Sequence, residues 1–346
     1  MTNTDAFYIQ QALVELEFPF IFEKALQFAL FRTYGIPSIS KLLVQTSQFS
    51  EPATATKRYA DTSVLITELA VFPPESLRVH EAIARMNYIH GWYQKAGKIL
   101  DDDMMYTLSL FACEPYQWVA RYEWRELEAF EKCALGTFWK SIGDAMGIGY
   151  EKLRSGGKDG AGWRDGLEWL DEVAEWSQGY ERKYMVPAET NRKTAEQTVA
   201  ILLWSLPGPL KPYGKKVVSV LMDDRLRAAM MFVQPANNPW ARAILNVSFQ
   251  VRETSSILFQ PHIHHLHPPQ TLPSLPRSTT PVLHESAQHH RRTLQKWHIL
   301  YESLGDRPLV RKTNDVEPKF HPIMEVLVHG TANPWGRRRQ ILATRL

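Results

Sequence analysis

The chain has 346 residues, enough to bury a sizeable core as one large domain or two of ordinary size. Its 44% hydrophobic and 22% charged residues are those of a soluble globular protein. The net charge of +3 is uneven: residues 262–346 carry twelve Lys and Arg against six Asp and Glu, so the first 261 residues sum to −3 and show no nucleic-acid footprint.

The pattern is helical almost throughout from residue 7 to about 232, and the elements follow in order. A first helical region covers "DAFYIQQALVELEFPFIFEKALQFALFRTYG", ended by Gly35-Ile36-Pro37. Next comes "EPATATKRYADTSVLITELAVFPP", with Pro52 near its start and Pro73-Pro74 as its stop. "SLRVHEAIARMNYIHGWYQKAG" follows, with Ser76 as N-cap and Gly97 as C-cap. "LDDDMMYTLSLFACEPYQWVARYEW" opens on three aspartates that suit a helix N-terminus. "ELEAFEKCALGTFWKSIGDAMGI" ends at Gly147. The loop "RSGGKDGAGW" lacks the spacing and the preceding strand of a phosphate cradle. Further helices are expected in "GWRDGLEWLDEVAEWSQGYERKYM", in "AETNRKTAEQTVAILLWSL" and, as a pair, in "YGKKVVSVLMDDRLRAAMMF". No internal repeat appears. The expectation is one all-α domain over residues 1–232. After it, residues 233–346 form a tail rich in Pro, Ser, Thr and His that reads as disordered.

Cys113 and Cys133 are too few for a disulfide framework or a cysteine metal site, and point mildly to a reducing compartment. The first apolar run is interrupted by Glu17, Glu23 and Lys24 and has no cleavage pattern, so no secretory signal is read. No run of about 18 uncharged apolar residues would span a bilayer. The longest, "TVAILLWSLPGPL", is broken by Pro207, Gly208 and Pro209.

The residue that most needs an explanation is His90. Read as helix, Ile83, Met86, His90 and Tyr93 form one apolar stripe. An imidazole there must leave water and find a partner for each nitrogen. It is either a core histidine satisfied by two neighbours or a metal or haem ligand. His80 lies ten residues earlier, roughly 80° away around the helix, so the two cannot clamp one zinc as an i, i+4 pair could. A lone protein ligand favours haem over zinc or di-iron. A second constellation is "RYADT": Arg58, Asp61 and Thr62 stand at i, i+3 and i+4 and share a face. They form either an intrahelical Arg–Asp pair beside an ordinary threonine or the polar corner of a pocket.

Other motifs carry less. "LDDDMMY" lacks the spacing of a DDxxD magnesium motif, and "LMDDR" at 221–225 has the same status. A metal-dependent terpene enzyme is therefore poorly supported. "HIHHLH", with His262, His264, His265 and His267, reads as an adventitious chelator, and "WGRRRQ" as a solvated basic tail.

From about Tyr34 to Arg227 the chain resembles the fungal oxygenases of the mycophenolic-acid pathway type, in a broader family with the bacterial latex-clearing rubber oxygenases. The residues that carry the resemblance include "RTYGIPSISKLLVQTSQFS", "KRYADT", "AIARMNYIHGWYQKAGKI", "YEWRELEAFEKCALGTFWKSIGDAMGI", "VPAETNRKTAEQT" and "LMDDRLRAAMM". The resemblance implies an all-helical fold around one haem b, with His90 as axial iron ligand through Nε2 and a carbonyl or carboxylate holding Nδ1–H. It implies that Arg58 orients dioxygen or a haem propionate, and that Thr62 donates a hydrogen bond to dioxygen. Asp61 stands where the rubber oxygenases carry a distal lysine, which leaves that side more open.

The implied reaction is oxidative cleavage of a carbon–carbon double bond in an apolar prenyl or polyisoprenoid substrate, with Tyr59, Trp92, Phe138 and Trp139 as candidate walls. Such fungal proteins carry a membrane helix ahead of the region matching residue 18. This sequence shows none there, so peripheral membrane contact at the endoplasmic reticulum is the remaining expectation. The C-terminal part departs from the family pattern, either as a divergent tail or as a shifted reading frame. The competing expectation is a catalytically silent helical binding protein that keeps the fold without haem.

Overall fold

Thr2 opens the first helix with a reciprocal cap: its hydroxyl accepts from the Asp5 amide while the Asp5 carboxylate accepts from the Thr2 amide. The computed structural model describes residues 1–46, 52–156, 162–204, 206–232, 239, 240 and 243. Among them the α-helices are α1 (Asn3–Ala12), α2 (Pro19–Thr33), α3 (Pro37–Gln45), α4 (Pro52–Val71), α5 (Leu77–Lys95), α6 (Asp101–Tyr122), α7 (Ala129–Ala145), α8 (Gly166–Tyr184), α9 (Glu189–Leu202), α10 (Lys211–Leu221) and α11 (Asp224–Ala229). No strand occurs among the described residues. The helices belong to one compact unit, Met1–Thr254, so the all-α expectation holds. The expected irregular tail lies outside the described residues except at 239, 240 and 243.

Two boundaries differ from expectation, and both turn on proline. The first helical region is two helices, not one. Leu13–Glu17 forms a π-helical turn, Phe18 leaves helical geometry, and Pro19 starts α2 because it has no amide to give the preceding turn. Pro37 does not only end what precedes it; it is the first residue of α3, where a missing amide is harmless. The predicted stops at Gly97 and Gly147 are found, each with positive φ, and Ser76 caps α5 through the Val79 amide.

The core is built on α2 against α6 and on α7 against α8, with α1 laid on α7, α3 on α9, and α4 on α5. Trp169, Tyr106, Phe7, Phe18, Phe22 and Phe138 are fully buried within it. α7 and α8 cross with their backbones in contact at Gly136 and Gly166. A Cβ on Gly136 would overlap the Gly166 carbonyl, and one on Gly166 would overlap the Thr137 amide and the Cys133 carbonyl. Gly136→Ala is therefore expected to destabilise the fold by about 3 kcal/mol, since backbone rather than a flexible side chain must yield. A fall in the urea midpoint with an unchanged slope would register it.

Candidate functional site: His90, Arg58 and the α4–α5 face

α5 is held at a few points rather than along its length. Arg78 pairs both ways with Glu68 of α4, at 2.9 and 2.8 Å, and stacks 4.0 Å from the Phe72 ring centre. Near the middle of α5, Asn87 donates to the Ala145 carbonyl at the end of α7, 3.0 Å away. Between these ties only Val79 and Ala82 are buried. The stripe of Ile83, Met86, His90 and Tyr93 is half-buried along its whole length. Trp92 points the other way and is 67% exposed, so it is not the wall it was expected to be. His80 is exposed as well.

His90 has its Nδ1 sealed from solvent without a hydrogen-bond partner. Burial, and secondarily the charge of Arg58, push its pKa down to about 4, so the ring is a neutral imidazole at pH 7. The expected carbonyl or carboxylate on Nδ1 is absent among the described residues. The charged group this ring feels is the Arg58 cation, which disfavours a proton on it rather than stabilising one. What the site presents is a neutral nitrogen with its lone pair or proton uncommitted.

The low pKa fixes a sign for the apo-protein. Between pH 6.5 and about 4 the unfolded chain binds a proton at this imidazole that the folded chain does not, so stability falls as pH drops through that window. For a partly exposed ring the loss is about 2 kcal/mol. His90→Gln should remove that part of the slope, read as urea midpoints at pH 7.5 and 4.5.

On α4 the three residues of the second constellation go to different partners. The Thr62 hydroxyl donates to the Arg58 carbonyl one turn back, 2.9 Å away, so its proton is spent within the helix. Asp61 takes Lys57 as its partner at 2.6 Å, not Arg58. The Arg58 guanidinium has no hydrogen bond or ion pair among the described residues, and it is half-buried. Its charge acts on His90 and on Tyr34, whose hydroxyl pKa burial raises well above the usual range. Tyr59, the next residue, is buried with its hydroxyl unpartnered. Arg58, without a counter-charge among the described residues, thus acts electrostatically on the neutral His90 of α5 and on Tyr34, and Tyr34 in turn is close enough to feel Tyr59. Phe138 and Trp139 are core: Phe138 lies against Phe7, and Trp139 stacks on Phe111 at 5.4 Å.

A second polar cluster has no counterpart in any motif of the sequence. Arg32 of α2 meets Glu181 at 2.7 Å, Asp223 at 2.6 Å and Glu114 at 3.6 Å. Tyr106 donates to Glu181 and Trp118 to Glu114. Burial works against the guanidinium's charge, but Glu181 outweighs it and the pKa of Arg32 is raised. Burial raises Glu114, partly opposed by Arg32, whereas Asp223 is lowered against its own burial by the Arg32 charge. Two cavities of about 280 and 80 Å³ adjoin this cluster, and neither is lined by Arg58, Tyr59 or His90. The four residues are spread over 191 positions of sequence, so only the tertiary fold brings them together.

Two of the three aspartates of "LDDDMMY" are occupied. Asp103 is buried and accepts from Ser38 and Tyr180, at 2.9 and 2.7 Å, and Asp102 pairs with Lys152. No group of three or more metal-ligating side chains occurs among the described residues. The histidines of "HIHHLH" lie outside them.

No protein-family model matches the chain. Among known proteins it is similar to an ER-bound oxygenase mpaB of Penicillium roqueforti (strain FM164), 53% identical over 234 residues, which is 68% of this chain and 78% of the relative. It is also similar to an ER-bound oxygenase mpaB' and an ER-bound oxygenase mpaB of Penicillium brevicompactum, 52% and 47% identical. Of these two longer relatives it spans 55% and 62%.

Proposed function

Because this chain belongs to the family of the fungal ER-bound oxygenases mpaB, we propose that it is a haem-dependent oxygenase that cleaves a carbon–carbon double bond of an apolar, prenylated substrate. The observation that carries the haem part is His90: neutral, sealed at Nδ1, unpartnered, and set in a half-covered apolar stripe. An imidazole in that state suits an electron-pair acceptor, and one protein ligand is what a haem site requires. The unpaired Arg58 adds to the fit, since a half-buried guanidinium without a counter-charge suits a carboxylate such as a haem propionate.

When bound, haem b supplies the activation of dioxygen, the co-substrate. The chain's own residues bind and orient. His90 holds the group from α5. Arg58 would offer its charge to an anionic group of the bound cofactor, such as a propionate. The Tyr59 hydroxyl is buried with no partner among the described residues, and Thr62 could donate to a bound group only by giving up its bond to the Arg58 carbonyl. Asp61 is neutralised by Lys57 and offers no ligand. The half-buried faces of Ile83, Met86 and Tyr93 offer apolar surface to a flat ring or a prenyl chain. No helix among the described residues is long and apolar enough to cross a membrane, and association with the ER surface belongs to the same reading.

A silent helical binding protein is the second reading. The observation that favours it is a pair of cavities at the Arg32 cluster, a binding space that Arg58, Tyr59 and His90 do not line. Haem titration of the purified full chain separates the two. A Soret band that saturates at one haem per chain, followed by dioxygen uptake with a prenylated alkene, supports the oxygenase. A folded chain that never develops the band overturns it.

A further inference from the structure

Between Gln197 and Met222 the sequence carries three lysines and no acid. The structure places all three on α10, Lys211 half-buried at its start and Lys215 and Lys216 exposed. Leu210 closes a 3-10 turn, Gly208–Leu210, and is 49% exposed; Trp204 is 43% and Tyr213 54% exposed. Lys211 lies over the Trp204 ring at 5.8 Å, and Lys216 over Tyr213 at 5.7 Å and Trp240 at 5.8 Å. Lys215 is exposed beside them. α10 is moored at its other end, where Arg227 reaches the Ser219 and Met222 carbonyls at 2.7 and 3.0 Å. At the opposite end the Pro-Gly-Pro-Leu tip is exposed throughout, as are Pro212 and Tyr213 in the first turn of α10.

A Trp, a Tyr and a Leu are each costly to leave in water. Aromatic rings with a polar edge, together with lysines whose stems lie along apolar surface, are the side chains that settle at a bilayer's headgroup level. Three cations without an intervening acid are complementary to anionic headgroups. The outer face of α5 also exposes Leu77, Tyr88 and Trp92, but the acidic Glu81 is exposed on the same helix. Charge therefore selects the α10 edge and not α5.

We propose that the edge formed by Trp204, Leu210, Lys211, Tyr213, Lys215 and Lys216 docks this protein on an anionic phospholipid surface. It rests on the ER-surface part of the proposed function and is independent of haem. The lysines meet the headgroups while Leu210 and the two rings enter the interface. The depth is that of a peripheral contact.

The test uses the full chain and vesicles of phosphatidylcholine with or without 30% phosphatidylserine, read by co-sedimentation and by amide hydrogen exchange. The expected result is binding to the anionic vesicles only, with exchange protection over residues 204–216. Lys211→Gln, Lys215→Gln and Lys216→Gln together should weaken binding about a hundredfold, each lysine contributing roughly fivefold. Trp92→Ala on α5 should change nothing. Vesicle binding with protection elsewhere, in the basic C-terminal region for example, overturns the α10 edge and leaves the ER-surface reading standing. No binding to either vesicle overturns both.

Discussion

His90→Ala is expected to leave a folded protein that no longer develops a Soret band when supplied with haem. On the proposed reading the imidazole is the sole protein ligand, so its loss should weaken haem binding at least a hundredfold, about 2.7 kcal/mol. The variant should fold well, because the substitution removes a buried nitrogen that the apo-protein leaves unpartnered. Added imidazole should restore part of the band by entering the space the side chain leaves. A Soret band of unchanged position and strength in His90→Ala would place the iron elsewhere and remove the main support of the reading. Arg58→Met separates the supporting role from the ligand: it should keep the band and weaken haem binding by a smaller factor, about tenfold.

Arg32→Met should cost about 3–5 kcal/mol of stability at pH 7, the largest loss expected from any single substitution away from the glycine crossing. The magnitude comes from what is left behind. Glu181, Glu114 and Asp223 would face one another without the guanidinium that now touches all three. Asp223 is exposed and would meet water, but Glu114 and Glu181 are buried and escape repulsion by taking up protons, so the folded variant should bind more protons than its unfolded chain just below neutrality. Its stability should then rise as pH falls from 7 toward 5, the opposite of the slope expected from His90 in the parent. Urea midpoints of both proteins at pH 7 and 5 would show it. A variant as stable as the parent at pH 7 would mean that the carboxylates had found water through the adjoining cavities.

The fold was legible because periodicity and punctuation agree along this chain. Ser76, Gly97 and Gly147 mark ends that the structure keeps. Pro19 and Pro37 were harder, since a proline inside a hydrophobic run reads as a break or as a start depending on which amide needs a partner, and only the three-dimensional path decides. The site was legible in part. His90 stands out because an imidazole in an apolar stripe is costly, and that cost is visible without coordinates. The partners of Arg58, Asp61 and Thr62 were not legible: spacing puts all three on one face, but it does not tell that Asp61 will take Lys57 or that Thr62 will bond backward. Tyr59 and its unpartnered hydroxyl could have been singled out with Arg58 as neighbours in "RYADT", yet a tyrosine in a helix carries no signal of its own. The Arg32 cluster was invisible for a plainer reason. Its members sit on α2, α6 and α8 and just ahead of α11, and each alone is an unremarkable charge in an amphipathic helix.

One consequence follows from how lightly α5 is fastened. Among the described residues, two buried side chains, one ion pair, one cation–ring contact and one amide hold the 19 residues that carry His90. Such a segment opens at a fraction of the global unfolding free energy. A ligand seated on His90 would repay that deficit locally, by about 2.7 kcal/mol at a hundred times its dissociation constant. The lifetime of the protein in a cell would then follow the supply of that ligand. Protease sites within α5 would be hidden while it is plentiful and open when it runs short, so starvation for the cofactor would be read out as disappearance of the chain.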